Sequence, residues 1–223
     1  MRHTVTTVLL ACVTTLALCH PAAAVFDEWG VGLKAGTLGV GGELATNLLS
    51  NVNLRGSFQW FDLDLDTEVD DIDYDLNVEM LNPMVLLDWY PFSNGFRISG
   101  GVLFNGTDIT LDARPSGEID IGDETYTADE VGRLRGESDF DEVAPYVGIG
   151  FGNPLTRDGH WGFSFDVGVA FIGSPGVKLT ATGPIADTAE FQQNLADEEA
   201  DIEDELDKIK VCPVLSLCLY YVF

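Results

Sequence analysis

The chain has 223 residues, with 11 basic and 37 acidic side chains and a formal net charge of −26. That balance excludes nucleic acid as a partner, because phosphates are bound by Lys and Arg. The length fits one domain, and no segment after the N-terminal leader offers the roughly twenty consecutive apolar residues of a membrane helix.

Met1 to Ala24 has the pattern of a cleaved secretory signal: Arg2, an apolar run from Val8 to Cys19, then Ala22-Ala23-Ala24 as a small-residue cleavage site. Cleavage there is preferred to lipidation at Cys12 or Cys19. The expected domains are a signal over 1–24 and one unit over 25–223. A chain of this kind enters a membrane only as a closed barrel.

Trp29, Val31 and Leu33 alternate with Gly30, Gly32 and Lys34, and Val40, Gly42 and Leu44 with Gly41, Glu43 and Ala45. A period of two is the signature of a strand. Thr37-Leu38 between them is a tight hairpin or a mid-strand bend, and an even strand count favours the hairpin. Residues 49–53 form a short turn. Leu54, Gly56, Phe58 and Trp60 then alternate with Arg55, Ser57 and Gln59. Beyond Trp60 the phase reverses, and Asp62, Asp64 and Asp66 alternate with apolar residues. A bulge or emergence from a bilayer explains such a switch.

Tyr74 to Tyr90 shows the same reversal near Asn82-Pro83, where a proline often marks a bulge. Residues 91–95 are a turn. Phe96 to Leu111 is a strand with Arg97, Ser99 and Asn105 on its polar face, and residues 112–141 are a long acidic loop with a small hairpin at Glu118 to Thr127. Val143 to Gly152 alternates again, and 153–159 is a turn. Trp161, Phe163, Phe165, Val167, Val169 and Phe171 stand opposite Gly162, Ser164, Asp166, Gly168 and Ala170. That second face is too small for a solvent-facing sheet but suits a narrow barrel interior. Gly173 to Gly176 bends the strand, which resumes at Val177 to Thr182. Phe191, Leu195, Ile202, Leu206 and Ile209 fall at helical spacing among many acids, so Asp187 to Lys210 is an amphipathic acidic helix.

The chain closes with Pro213 to Phe223. Leu215, Leu217, Leu219, Tyr221 and Phe223 alternate with Val214, Ser216, Cys218 and Tyr220. Cys212 and Cys218 share a face about 20 Å apart, too far to form a disulfide with each other. An apolar alternation ending in aromatics and a final Phe resembles the closing strand of small bacterial outer-membrane β-barrels, the OmpA-type transmembrane domain and the opacity-like porins. Short turns alternating with long connections strengthen the resemblance.

The resemblance implies an all-β fold, an eight-stranded antiparallel transmembrane β-barrel with an acidic amphipathic helix in its last extracellular loop. It implies location in the outer membrane of a Gram-negative bacterium. It implies contact with outer-membrane lipids and lipopolysaccharide, and recognition of Leu215, Leu217, Leu219, Tyr221 and Phe223 by the barrel-assembly machinery. The expected function is non-enzymatic, porin-like or structural; the alternative is a surface protein binding a partner or divalent cations through acidic loops. No cofactor is called for.

The interior candidates are Arg55, Gln59, Arg97, Asn105 and Asp166, with Asp88, Glu79 and Lys34 as further possibilities. In an eight-stranded lumen such groups pair with one another, because an isolated buried charge is very costly. They are then a structural plug or the lining of a narrow pore. His160 is the one histidine after the leader, and it abuts a short turn with no Ser-His-acid arrangement to join. Clustered carboxylates suit hard cations such as Ca²⁺, but Asp62 to Asp66 lacks the glycine of a calcium loop, and the acids of 197–207 match a solvated helix face.

Overall fold

The computed structural model describes residues 26–69, 72–92, 94–122, 124–155, 160–208 and 210–223. The signal segment 1–24 and Ile209 lie outside them. The strands are β1 (Trp29–Gly36), β2 (Gly39–Leu49), β3 (Val52–Val69), β4 (Ile72–Trp89), β5 (Phe96–Phe104), β6 (Gly106–Arg114), β7 (Glu118–Ile121), β8 (Glu124–Thr127), β9 (Leu134–Asp139), β10 (Val143–Phe151), β11 (Trp161–Phe171), β12 (Gly176–Ala181) and β13 (Val211–Val222). Helix α1 (Ala128–Val131) follows β8, and α2 (Ala189–Leu206) precedes β13.

Eight strands close a ring in the order β1-β2-β3-β4-β5-β10-β11-β13, every neighbour antiparallel. From Gly36 the register continues through Gly39 and Phe61 to Met80 one way, and through Ser216, Asp166, Gly150 and Arg97 to Tyr90 the other. The circuit therefore advances by ten residues, from 80 to 90. With eight strands about 4.8 Å apart and a rise of about 3.3 Å per residue, that stagger tilts the strands by about 40°.

The outward face is an apolar belt. On β11, Trp161, Phe163, Phe165, Val167 and Phe171 are all exposed, while Ser164, Asp166 and Ala170 are buried. On β13 Leu215 and Leu217, and just beyond it Phe223, are exposed, and Val214, Ser216, Cys218 and Tyr220 are buried. The ten steps from Trp161 to Phe171 at that tilt rise about 25 Å, the height of a barrel's lipid-facing band. Aromatics gather at the end carrying the short turns: Trp29, Trp89, Phe92, Phe151, Trp161 and Phe223.

Thr37-Leu38 is a hairpin turn, with Gly36 opposite Gly39. Gly39 has a φ of +105°, where a side chain would be strained, and this lets the turn carry Leu38 back into the lumen.

β3 and β4 are 18 residues each, nearly twice what a belt of this height needs. Their register runs unbroken from Val52↔Trp89 to Val69↔Ile72. The expected bulge near Trp60 or Asn82-Pro83 is therefore absent; Pro83 simply faces Phe58. A register shift occurs instead in β2, between Asn47 and Leu49.

The phase reversal follows the other expected alternative, emergence: the strands leave the barrel and continue as a wall. β6 carries on the register of β5 against β4, and β9 carries on that of β10 against β5 and β6. With β12 they form a five-stranded sheet above part of the rim, in the order β3-β4-β6-β9-β12. Within the belt the outer face is apolar, and Arg55, Asp88, Arg97 and Asp166 face inward. In the wall, Asp62, Asp64, Asp66, Glu79, Asp108 and Glu137 share the outer face, and Leu63, Leu65, Leu76, Val78, Ile109 and Leu179 the inner. Glu79 thus stands outside and exposed, not in the interior where the sequence pattern had room for it.

The segment from 112 to 141 is more ordered than a loop. It completes β6, adds the expected β7–β8 hairpin, and returns as β9 to pair with β6 and β12. Phe191 and Leu195 of α2 are buried with Ile121 and Val131, against Tyr126, Leu134, Leu179 and Ala181. This is a second small core, separate from the lumen. Thr127 donates its N–H and hydroxyl to Glu130 at 2.9 and 2.7 Å, which starts α1 and holds that carboxyl below its usual range.

Candidate functional site

The lumen is filled in three tiers. At the loop end, Leu38, Met84, Leu86, Leu103, Ala144, Tyr146, Ala170 and Val214 form an apolar plug. Below it lies a network of charges. At the turn end, Tyr90 and Leu155 are buried, and Asn53 Nδ2 donates to Asn153 Oδ1 at 3.1 Å.

The charged tier follows from alternation, which aims every second residue of the tilted strands at the axis. Lys34, Arg55 and Arg97 oppose Glu43, Asp88 and Asp166, so three cations balance three carboxylates; all six are at most 4% exposed. Arg55 is the hub. Its guanidinium pairs with Glu43 at 3.2 Å and Asp166 at 3.1 Å, donates to Asp88 at 2.9 Å, and holds Asp88 through Nε as well. Arg97 pairs with Asp166 at 2.7 Å and lies 3.7 Å from Asp88. It also donates to the Gly152 carbonyl. Lys34 pairs with Glu43 at 2.8 Å. Tyr220 donates its hydroxyl to Glu43, and Ser99 donates to Asp88 at 2.6 Å.

Glycines on the inner face make room for these groups. Gly148 and Gly168 face each other across β10 and β11. A Cβ at either would fall 2.4 or 2.3 Å from the Tyr146 hydroxyl, so the ring of Tyr146 lies over both. Large and small interior positions fill the barrel together.

Of the residues expected in the interior, Arg55, Gln59, Arg97 and Asp166 are buried there. Gln59 donates to the Gly39 carbonyl at 3.3 Å and stands beside the ion pairs, not within them. Asn105 is half-buried at the rim, where its N–H donates to the Glu142 carbonyl, and the network does not include it. Lys34 and Asp88 belong fully to the network. Glu43 and Tyr220 are members the sequence pattern did not single out. Their signal was present, since each sits at an inward parity position between small neighbours. Cys218 is a buried interior filler, and Cys212 is half-buried against the plug.

His160 stacks on Tyr221, with ring centroids 5.5 Å apart, among the aromatics of the turn end. Its Nδ1 is within 3.2 Å of the Val222 carbonyl, and no serine or carboxylate among the described residues bonds to it. Among the same residues no cluster of three or more His, Cys, Asp or Glu side chains is arranged to hold a metal ion.

No family model and no curated protein sequence matches the chain. Solved structures do. The crystal structure of CarO2 from Acinetobacter baumannii superposes with a TM-score of 0.59 at 19% identity, over 90% of this chain and 100% of that one. CarO from the same organism superposes with a TM-score of 0.55 at 22% identity, over 87% and 97%. The chain has the fold of the small eight-stranded outer-membrane β-barrels. In this chain the lumen of that fold is filled by the residues named above.

Proposed function

We propose that the protein resides in an outer membrane as a sealed barrel, and that its role is structural and non-enzymatic: it anchors the wall, the β7–β8 hairpin and α2 at the cell surface. The observation that carries this reading is the continuous filling of the lumen. An apolar plug, a neutral cluster of six charges and a closed turn end succeed one another along the axis. An eight-stranded barrel has an interior just wide enough for side chains, and here they occupy it. The apolar belt supports the membrane location, because monomeric soluble proteins rarely expose a contiguous apolar surface of this kind. Lipopolysaccharide would surround the rim where the outer face changes from Trp60 and Leu81 to Asp62 and Glu79. Divalent cations at those carboxylates and recognition of β13 by the assembly machinery belong to the same reading. The non-enzymatic part is supported by His160, which stacks on Tyr221 at the aromatic rim and has no catalytic partner among the described residues.

Planar-bilayer conductance of the folded protein tests the proposal. Silence from protein shown by circular dichroism to be folded is the expected result. Discrete, reproducible steps that change in Arg97→Ala would overturn it and make the lumen a pore.

A further inference from the structure

The two edges of the wall are treated differently. At the β12 edge, Val177 N–H donates to Glu203 at 2.8 Å and Leu179 N–H to Glu199 at 2.6 Å. Four residues of helix rise about 6.0 Å and two residues of strand about 6.6 Å, so the α2 carboxylates fall in step with the amides they cap. That covers the template an edge strand presents to other chains.

Among the described residues the β3 edge has no such cover. β2 pairs with β3 only as far as Val40↔Trp60. From Phe61 to Thr67, β3 pairs with β4 alone among the described residues. This stretch holds no proline, glycine, lysine or register shift; of the devices that blunt a free edge it carries only the charges of Asp62, Asp64 and Asp66. Its inner face carries Phe61, Leu63 and Leu65, of which Phe61 is 38% and Leu65 47% exposed. Its outer face carries Asp62, Asp64 and Asp66, which lie opposite Glu79, Asn77 and Asp75. No cation among the described residues pairs with these three aspartates, since Arg114 is taken by Asp75.

This pattern selects its occupant. A second copy of the same edge would set aspartate against aspartate, and like charges directly opposite destabilise a ladder. An extended segment alternating basic and apolar residues meets both faces at once. We propose that β3 from Phe61 to Thr67 is a docking edge for such a segment, which joins the wall as a sixth strand. Its Lys or Arg side chains lie beside Asp62, Asp64 and Asp66, and its apolar side chains cover Phe61, Leu63 and Leu65. Main-chain hydrogen bonds supply affinity, and the alternating side chains supply selectivity. The inference rests on the surface-anchor reading in placing the wall in water, but its test does not involve conductance, so either can fail alone.

The full chain in nanodiscs of zwitterionic lipid is titrated with a fluorescent nine-residue peptide alternating Lys and Val. Saturable binding of one peptide per chain, absent from protein-free discs, is expected. N-methylating one of the two alternate sets of peptide amides weakens it at least tenfold while methylating the other set does not. Asp62→Asn/Asp64→Asn/Asp66→Asn, which leaves the β3–β4 ladder intact, weakens it at least tenfold. A Glu/Val peptide does not bind. Binding indifferent to methylation of both sets would be electrostatic adsorption and would overturn the proposal. So would binding no stronger than to empty discs, or failure of the wild-type protein to bind at all.

Discussion

Replacing Arg55 by Met should unfold the balance of the lumen in a defined way. Lys34 keeps Glu43 at 2.8 Å and Arg97 keeps Asp166 at 2.7 Å, so two ion pairs survive. Asp88 is the group left behind. Its remaining cation is Arg97 at 3.7 Å, and its remaining short bond is to Ser99 at 2.6 Å. Removing one partner of a buried ion pair costs about 3–5 kcal/mol, which is roughly two to four decades in the folding equilibrium. The loss should be read from urea titrations of folding into lipid vesicles, with tryptophan fluorescence and gel mobility as independent probes. Arg55→Met/Asp88→Asn restores neutrality and keeps an acceptor for Ser99, so it should recover at least half of the loss. Because the site is buried, the difference should persist from about 0.1 to 1 M salt, where exposed pairs are screened. A loss below about 1 kcal/mol for Arg55→Met would refute the reasoning, given that central buried pairs cost several. So would a double variant less stable than Arg55→Met.

The belt gives a second test. Val167→Arg, at mid-height of β11, should cost about 2–4 kcal/mol of folding into vesicles, whereas Trp161→Arg at the rim should cost about 0–1 through its charge; equal costs would contradict the assignment of height. Gly168→Ala should destabilise by about 1–3 kcal/mol through collision with Tyr146, and Tyr146→Ala in the same chain should relieve that collision, which thermal melts would show as non-additivity. Glu199→Ala/Glu203→Ala removes two charge-assisted acceptors worth roughly 1.5–3 kcal/mol each. Amide exchange in residues 176–181 should then accelerate at least tenfold while the barrel amides stay protected.

Much of the fold was legible because alternation carries it. On β11 and β13 one parity is large and apolar and the other small, so strand, inward face and outward face follow from the residues themselves. Arg55, Arg97 and Asp166 were legible for the same reason, as lone charges on a small face. Their partners were harder to read. Glu43 is one acid among many, and its pairing with Arg55 depends on the β2–β3 register, which sets Glu43 opposite Ser57 and so diagonal to Arg55; the pairing of Arg55 with Asp166, 111 residues away, needs the closed ring. The wall was hidden by the same phase rule that revealed the barrel. Above Trp60 the large residues turn inward, so a continuous strand looks like a bulge followed by a loop. β9 was missed outright, because Leu134 to Asp139 alternates charge with glycine and serine and depends on β6 and β12 for its pairing. The α2 stripe of Phe191 and Leu195 was evident from its spacing. The use of Glu199 and Glu203 as edge caps was not, since it depends on where β12 ends up.

The central claim is that the exposed apolar face meets lipid and that this contact ends between Trp60 and Asp62. A spin-label scan along the outer face of β3 measures it directly. Single cysteines at Phe58, Trp60, Asp62 and Asp64 are labelled in a Cys212→Ser/Cys218→Ala background and reconstituted in vesicles. Collision with oxygen should dominate at positions 58 and 60, and collision with a water-soluble nickel chelate at 62 and 64. Chelate access at 58 and 60, or a signal immobilised without access to either reagent, would mean that the belt faces water or another protein surface, and the membrane account would fall.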